Sequence, residues 1–186
     1  IVNLILPKID SSNNRWDRED ITINDQDEFK DLKELAAKCK VNLMYIKAGD
    51  YIREGKLDIT CLHPLEGYMY SSRNAYSTVL SVKYGDFDML LTGDLEAEGE
   101  RNITKMPLSQ YDVLKVAHHG SKNSTSQEFL KIIKPRLSLI SCGKDNRYGH
   151  PHEELLERLD DIGSELVITY ESGAITIKTD GRRVFM

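Results

Sequence analysis

Residues 89–125 read MLLTGDLEAEGERNITKMPLSQYDVLKVAHHGSKNST, and they hold the chemistry the rest of the chain is built around. The apolar run 87–91 ends abruptly in Thr92-Gly93-Asp94, and the run 113–117 ends in His118-His119-Gly120-Ser121. Short apolar runs bounded by turn signals predict buried strands. A carboxylate at one strand end and paired imidazoles at a neighbouring one can meet at a single point. Carboxylate oxygen and imidazole nitrogen are the donors a divalent metal of intermediate hardness takes.

The 186 residues are enough for one domain with a substantial core. Forty per cent apolar and thirty per cent charged is ordinary soluble composition, and no run reaches transmembrane length. The chain opens at Ile1 with a strand-like segment and no signal-peptide pattern, which suggests a piece of a longer protein. Cys39, Cys61 and Cys142 are odd in number and widely spaced, so buried free thiols fit better than disulfides or a zinc ribbon. A net charge of −5 argues against bulk electrostatic nucleic-acid binding. Residues 115–147, however, carry seven bases against two acids. That basic stretch suits a phosphate-bearing substrate, or else a solvated helix face.

Taken in order, residues 1–6 predict a strand stopped by Pro7, and 8–24 a polar excursion in which Trp16 is either a docking point or a loop anchor. Residues 25–40 have helical periodicity, with Asp25 and Glu28 as a capping box. A strand at 41–46 and a hairpin of 51–53 with 57–62 follow, and His63 reads as a loop residue. Residues 76–84 predict a long strand, paired through Gly85-Asp86 with the strand that ends at Asp94. A short helix at 95–105 precedes the histidine strand. A further helix, from about 126 to 133, takes its cap from Ser124 or Thr125. A strand at 136–141 and a helix at 151–162, with Pro151 at its first position, come next. A hairpin of 165–170 with 174–179 closes the chain. Hairpins interrupt the strand–helix alternation, so the fold class is α/β with mixed sheets, in two sheets with helices outside.

Asp94 suits a metal site or a helix N-cap. Adjacent histidines on a strand point to opposite faces, so one of His118 and His119 faces the core side unless the chain turns at Gly120. His150 and His152 straddle a helix start, which disfavours their chelating one ion together and favours His150, in the loop, as the functional member. Asn146, Arg147 and Tyr148 precede it and are placed to contact a substrate. No Walker loop, dinucleotide fingerprint or GxSxG occurs, so no nucleotide cofactor is expected.

Asn74-Ala75-Tyr76-Ser77, Leu90-Leu91-Thr92-Gly93-Asp94, Leu114-Lys115-Val116-Ala117-His118-His119-Gly120-Ser121 and Tyr148-Gly149-His150-Pro151 occur in that order. Together they resemble successive motifs of the metallo-β-lactamase fold, in the version found in the ComEC family of DNA-internalisation competence proteins. The resemblance implies an αββα sandwich with a metal site at one edge of the packed sheets. Asp94 would bridge two divalent metals, zinc or manganese, and His118 (or His119) would be a histidine ligand. With His118 as ligand, His119 and His150 become the catalytic pair, and Asn74, Ser77, Lys122 and Arg147 the substrate contacts.

The family's first metal motif, an HxHxDH-like cluster, is absent; Asp17, Glu19 and Asp20 lack its spacing. The resemblance therefore implies a single domain over 1–186 that is the C-terminal portion of the fold, its N-terminal part missing. Such a piece would bind metal weakly and turn over no substrate. It would itself be soluble, while its parent would lie in the bacterial cell membrane, with a channel in the same chain and single-stranded DNA as substrate. Two alternatives stand beside this nuclease: a free-standing hydrolase of a small phosphoester or phosphorylcholine, and a non-catalytic DNA-channel scaffold.

Overall fold

The computed structural model describes residues 2–8 and 29–186. The expectations for Trp16, for Asp17, Glu19 and Asp20, and for the capping box at Asp25 and Glu28 lie outside the described residues.

Seven strands form one sheet in sequence order: β3 (Tyr51–Glu54), β4 (Leu57–His63), β5 (Val79–Tyr84), β6 (Phe87–Leu91), β7 (Val113–Lys115), β8 (Leu137–Ile140) and β9 (Glu165–Ile168). Neighbours from β3 to β6 are antiparallel, β3–β4 and β5–β6 through tight turns and β4–β5 through the longer 64–78 connection, and neighbours from β6 to β9 are parallel. Parallel neighbours need crossovers. The helices α2 (Ala97–Thr104), α3 (Gln127–Ile133) and α4 (Glu153–Asp161) supply one between each pair. Two smaller pairs stand outside this hydrogen-bonded sheet. β1 (Asn3–Pro7) runs parallel to β2 (Asn42–Ile46), with α1 (Lys30–Lys38) between them in sequence, and β10 (Lys178–Thr179) is antiparallel to β11 (Val184–Phe185). The mixed sheets read from the sequence are present.

Side-chain alternation divides the core in two. Leu90, Leu114 and Ile140 point to the face that packs Ile103 of α2, Phe129, Leu130 and Ile133 of α3, and Leu155 and Leu159 of α4. All of these are 0–1% exposed. Burying each such side chain contributes roughly 1.5–3 kcal/mol over leaving it in water. Phe87, Val113, Leu137 and Leu139 point to the other face, where Ile175 and Ile177 pack against them.

Several boundaries differ from expectation, each for a tertiary reason. Residues 74–76 form a 3-10 turn and the strand begins only at Val79, because polar side chains there bond to neighbouring loops instead of leaving the backbone to a ladder. His63 is the last residue of β4 and is fully buried, not a loop residue. The cap of α3 is Ser126, whose Oγ accepts from Phe129 N at 3.3 Å. Ser124 is diverted: its Oγ donates to Ala117 O and Ser121 O. Helix α4 starts at Glu153, not Pro151, because His152 N donates to Gly120 O at 3.0 Å and holds this segment against the histidine turn. The closing hairpin does not form. β9 instead pairs in parallel with β8, and the chain then turns through α5 (Thr169–Ser172), pinned by Thr169 Oγ1 donating to Cys142 O at 2.9 Å. No helix among the described residues is long and apolar enough to cross a membrane.

Candidate metal centre

The carboxyl ends of β6, β7 and β8 open onto one edge of the sheet, where ligands bind in parallel α/β architectures. Asp94 lies three residues beyond β6. Its backbone N–H donates to Ser77 Oγ at 3.1 Å, while Thr92 Oγ1 donates to Lys115 O at 2.6 Å and ties the end of β6 to that of β7. His118 N donates to Gly93 O at 3.0 Å, which brings the histidine turn alongside the Asp94 turn.

Both histidines are in left-handed backbone, His118 at φ 45° and His119 at φ 55°. Non-glycine residues in that region cost on the order of 1–3 kcal/mol each and cluster at functional sites. The turn overrides strand alternation: the rings lie 6.3 Å apart on one rim instead of on opposite faces. The following Gly120 has φ +91°, and a Cβ there would sit 2.6 Å from Pro151 Cβ, so this approach of two loops requires glycine.

His119 Nδ1 lies 2.6 Å from Ser141 O. A carbonyl can only accept, so Nδ1 carries the proton and Nε2 is left with a free lone pair. Nε2 lies 3.9 Å from Asp94 Oδ1. Two donors of one ion, each bonded at about 2.0–2.2 Å, stand roughly 3–4 Å apart, and a carbonyl on the far ring nitrogen is the usual means of fixing a metal-binding tautomer. Both side chains are about half exposed.

His118 is held differently. Its Nδ1 lies 3.2 Å from Glu96 Oε2, and Asn74 Nδ2 donates to Glu96 Oε1 at 2.8 Å. Sequence reasoning missed Glu96, whose position just before α2 looks like an ordinary helix start. His150 packs edge-on to His118 at 5.4 Å, and its pKa is lowered by burial first and by the neighbouring imidazoles second. Lys115 is half-buried, with Nζ donating to Val116 O at 2.8 Å. Its pKa is lowered by burial, and the nearby Asp94 carboxylate partly offsets this.

The structure thus brings Asp94, His118, His119, His150 and Asn74 together. Ser77 belongs to the same edge, but its hydroxyl is engaged by the Asp94 backbone. Lys122 turns away: Nζ pairs with Glu154 at 3.3 Å, and its backbone N donates to His152 Nδ1. Arg147 lies on the exposed loop before His150, its guanidinium 4.5 Å over the Tyr148 ring. Asp94 and His119 fit as two donors of a divalent ion. Among the described residues no group of three or more His, Cys, Asp or Glu side chains could hold a metal, whereas catalytic zinc sites use three protein ligands.

No family model matches the chain. It is 39% identical over 158 residues to ComE operon protein 3 of Bacillus subtilis, covering 83% of this chain and 20% of that protein. Recombination protein 2 of Haemophilus influenzae is 40% identical over 104 residues, covering 56% of this chain and 13% of that one. Competence protein ComA of Neisseria gonorrhoeae is 38% identical over 104 residues, covering 55% and 15%. The chain therefore spans a fifth or less of these relatives' length. Among solved structures it is similar to the metallo-β-lactamase-fold protein YhfI of Bacillus subtilis, at TM-score 0.47 and 12% identity, covering 76% of this chain and 58% of that one.

Proposed function

Because this chain is homologous to a segment of these bacterial proteins, a competence protein among them, we propose that it is the metal-dependent phosphodiester-hydrolase module of a DNA-uptake protein. The observation that carries the proposal is the 3.9 Å approach of His119 Nε2 to Asp94 Oδ1, with the imidazole tautomer fixed by Ser141 O. That geometry favours His119 over His118 as the ligand beside Asp94. A zinc or manganese ion held there would act as a Lewis acid and lower the pKa of a bound water.

The chain's own residues divide the remaining work. Glu96 and Asn74 orient His118, whose ring faces the same rim as Asp94. His150 stands beside His118, where it can hold or protonate a phosphodiester oxygen. Arg147 is, with Lys144, one of two basic residues of the 143–150 loop beside this rim, and a guanidinium matches phosphate geometry. Of the chain's five histidines, His118, His119 and His150 gather at this rim, His152 packs edge-on to His150, and His63 is buried at the end of β4. Asp94 and His119 are two donors among the described residues, and because the chain spans a fifth or less of its relatives' length we infer that the remaining donors come from a segment of a longer protein.

The test is cleavage of single-stranded DNA and of bis(4-nitrophenyl) phosphate, with manganese and with zinc, by the full-length protein and by this chain. DNA cleavage by the full-length protein, lost in Asp94→Ala, supports the nuclease. Cleavage of the small ester alone points to a small-phosphoester hydrolase. The two-donor edge also favours a second reading, a DNA-channel scaffold that has lost catalysis, and no turnover of either substrate by the full-length protein would establish it.

A further inference from the structure

The 143–150 loop carries an exposed aromatic ring that metal chemistry does not require. One side chain fixes the loop. Asn146 Nδ2 donates to Gly143 O at 2.9 Å and to His150 O, while its Oδ1 accepts from Tyr148 N at 3.2 Å and His150 N at 3.0 Å. Tyr148 is 60% exposed and stacks on His150, with ring centres 5.7 Å apart and planes 23° apart. The Arg147 guanidinium lies 4.5 Å over the Tyr148 ring and donates to its hydroxyl. His150 in turn packs edge-on to His118. A continuous run of flat groups therefore leads outward from the metal edge.

An aromatic ring held in solvent by a bonded loop gains little from burial, and its position beside a chemical site marks recognition. Phenol, imidazole and guanidinium planes all stack on nucleobases. In a duplex both faces of a base are already covered, so only an unpaired base can use such a surface. The net charge of −5 leaves little long-range attraction for nucleic acid, which gives local stacking the larger share of selectivity.

We propose that Arg147, Tyr148 and His150 form a stacking platform for an unpaired nucleobase next to the bond cleaved at the Asp94–His119 edge. The proposal rests on the phosphodiesterase function proposed above and deepens it, because it makes the site one for single strands.

The test is anisotropy binding of fluorescein-labelled oligothymidylate, an abasic strand of equal length and charge, and a duplex, all in chelator so that no cleavage occurs. Base stacking is worth about 1–3 kcal/mol per base, so oligothymidylate should bind about tenfold tighter than the abasic strand. Tyr148→Ala and Tyr148→Leu should erase that margin and Tyr148→Phe should retain it, while the duplex binds no better than the abasic strand. Equal binding of the base-bearing and abasic strands, or an unchanged margin in Tyr148→Ala, would overturn the platform. Failure of the hydrolase function looks different: base-selective binding would persist without metal-dependent cleavage in the full-length protein.

Discussion

His63 ends β4 with no exposure to solvent. Its Nδ1 donates to Ser77 O at 2.7 Å, and its Nε2 has no hydrogen-bond partner. Burial pushes its pKa down to about 4 from an ordinary 6.5. The unfolded chain takes up this proton first, so stability falls as pH drops below about 6.5, and the loss is complete below about 4. Between pH 7.5 and pH 5 the loss from this group is about 2 kcal/mol. His63→Asn keeps a donor toward Ser77 and should remove that component; urea unfolding of both proteins at the two pH values checks it. An identical pH response in the two would contradict the assignment. At the proposed metal edge, Asp94→Ala and His119→Ala should each weaken manganese binding at least tenfold, and His118→Ala by clearly less, as measured by calorimetry. Asp94 and the histidine pair were legible because apolar runs stop at them. Glu96 was not, since only the fold brings it to His118, 22 positions away. Nor was the burial of His63, which no local pattern records.

Among the elements, α2 and α4 do more than cover the sheet. Glu100 of α2 is 6% exposed and its carboxylate accepts from Thr125 N and from Ser126 N at 2.9 Å. Arg158 of α4 donates to Lys122 O, Ser124 O and Thr125 O at 2.9–3.1 Å. Together they clamp the segment between the histidine turn and α3. Hydrogen bonds to charged groups contribute about 1.5–3 kcal/mol each, so Glu100→Ala should destabilise the fold by roughly 3 kcal/mol in chemical unfolding, and Glu100→Gln by less. Arg158→Ala should speed amide exchange at Thr125 and Ser126 while exchange in β6 and β7 stays slow. Uniform acceleration across the sheet would show that Arg158 serves global stability alone. Helix α4 was readable from its periodicity, and α2 from the polar, acidic stretch that Pro107 ends. The clamp was not, because Glu100 and Arg158 reach backbone groups 25 to 36 positions away, and neither was the true cap at Ser126, because the Ser124 hydroxyl is taken by Ala117 O and Ser121 O.

At the scale of the whole molecule, the hairpins followed by strand–helix units made a mixed sheet readable in the sequence. The parallel half places three strand ends on one edge, and the four motifs that resemble the ComEC family fall there or just beside it. The place of β9 was less legible: an apolar run of three residues carries no sign of whether it pairs back in a hairpin or crosses over. The donor count ties architecture to function. Two ligands bind a divalent ion weakly, and adding the remainder should convert that edge into a tight site. The most direct test is calorimetric titration of manganese and zinc into this chain and into the full-length protein, each with and without Asp94→Ala. The half-site account predicts tight binding only in the full-length protein, lost in its Asp94→Ala variant. Tight binding by the 186 residues alone, or none in either protein, would contradict it.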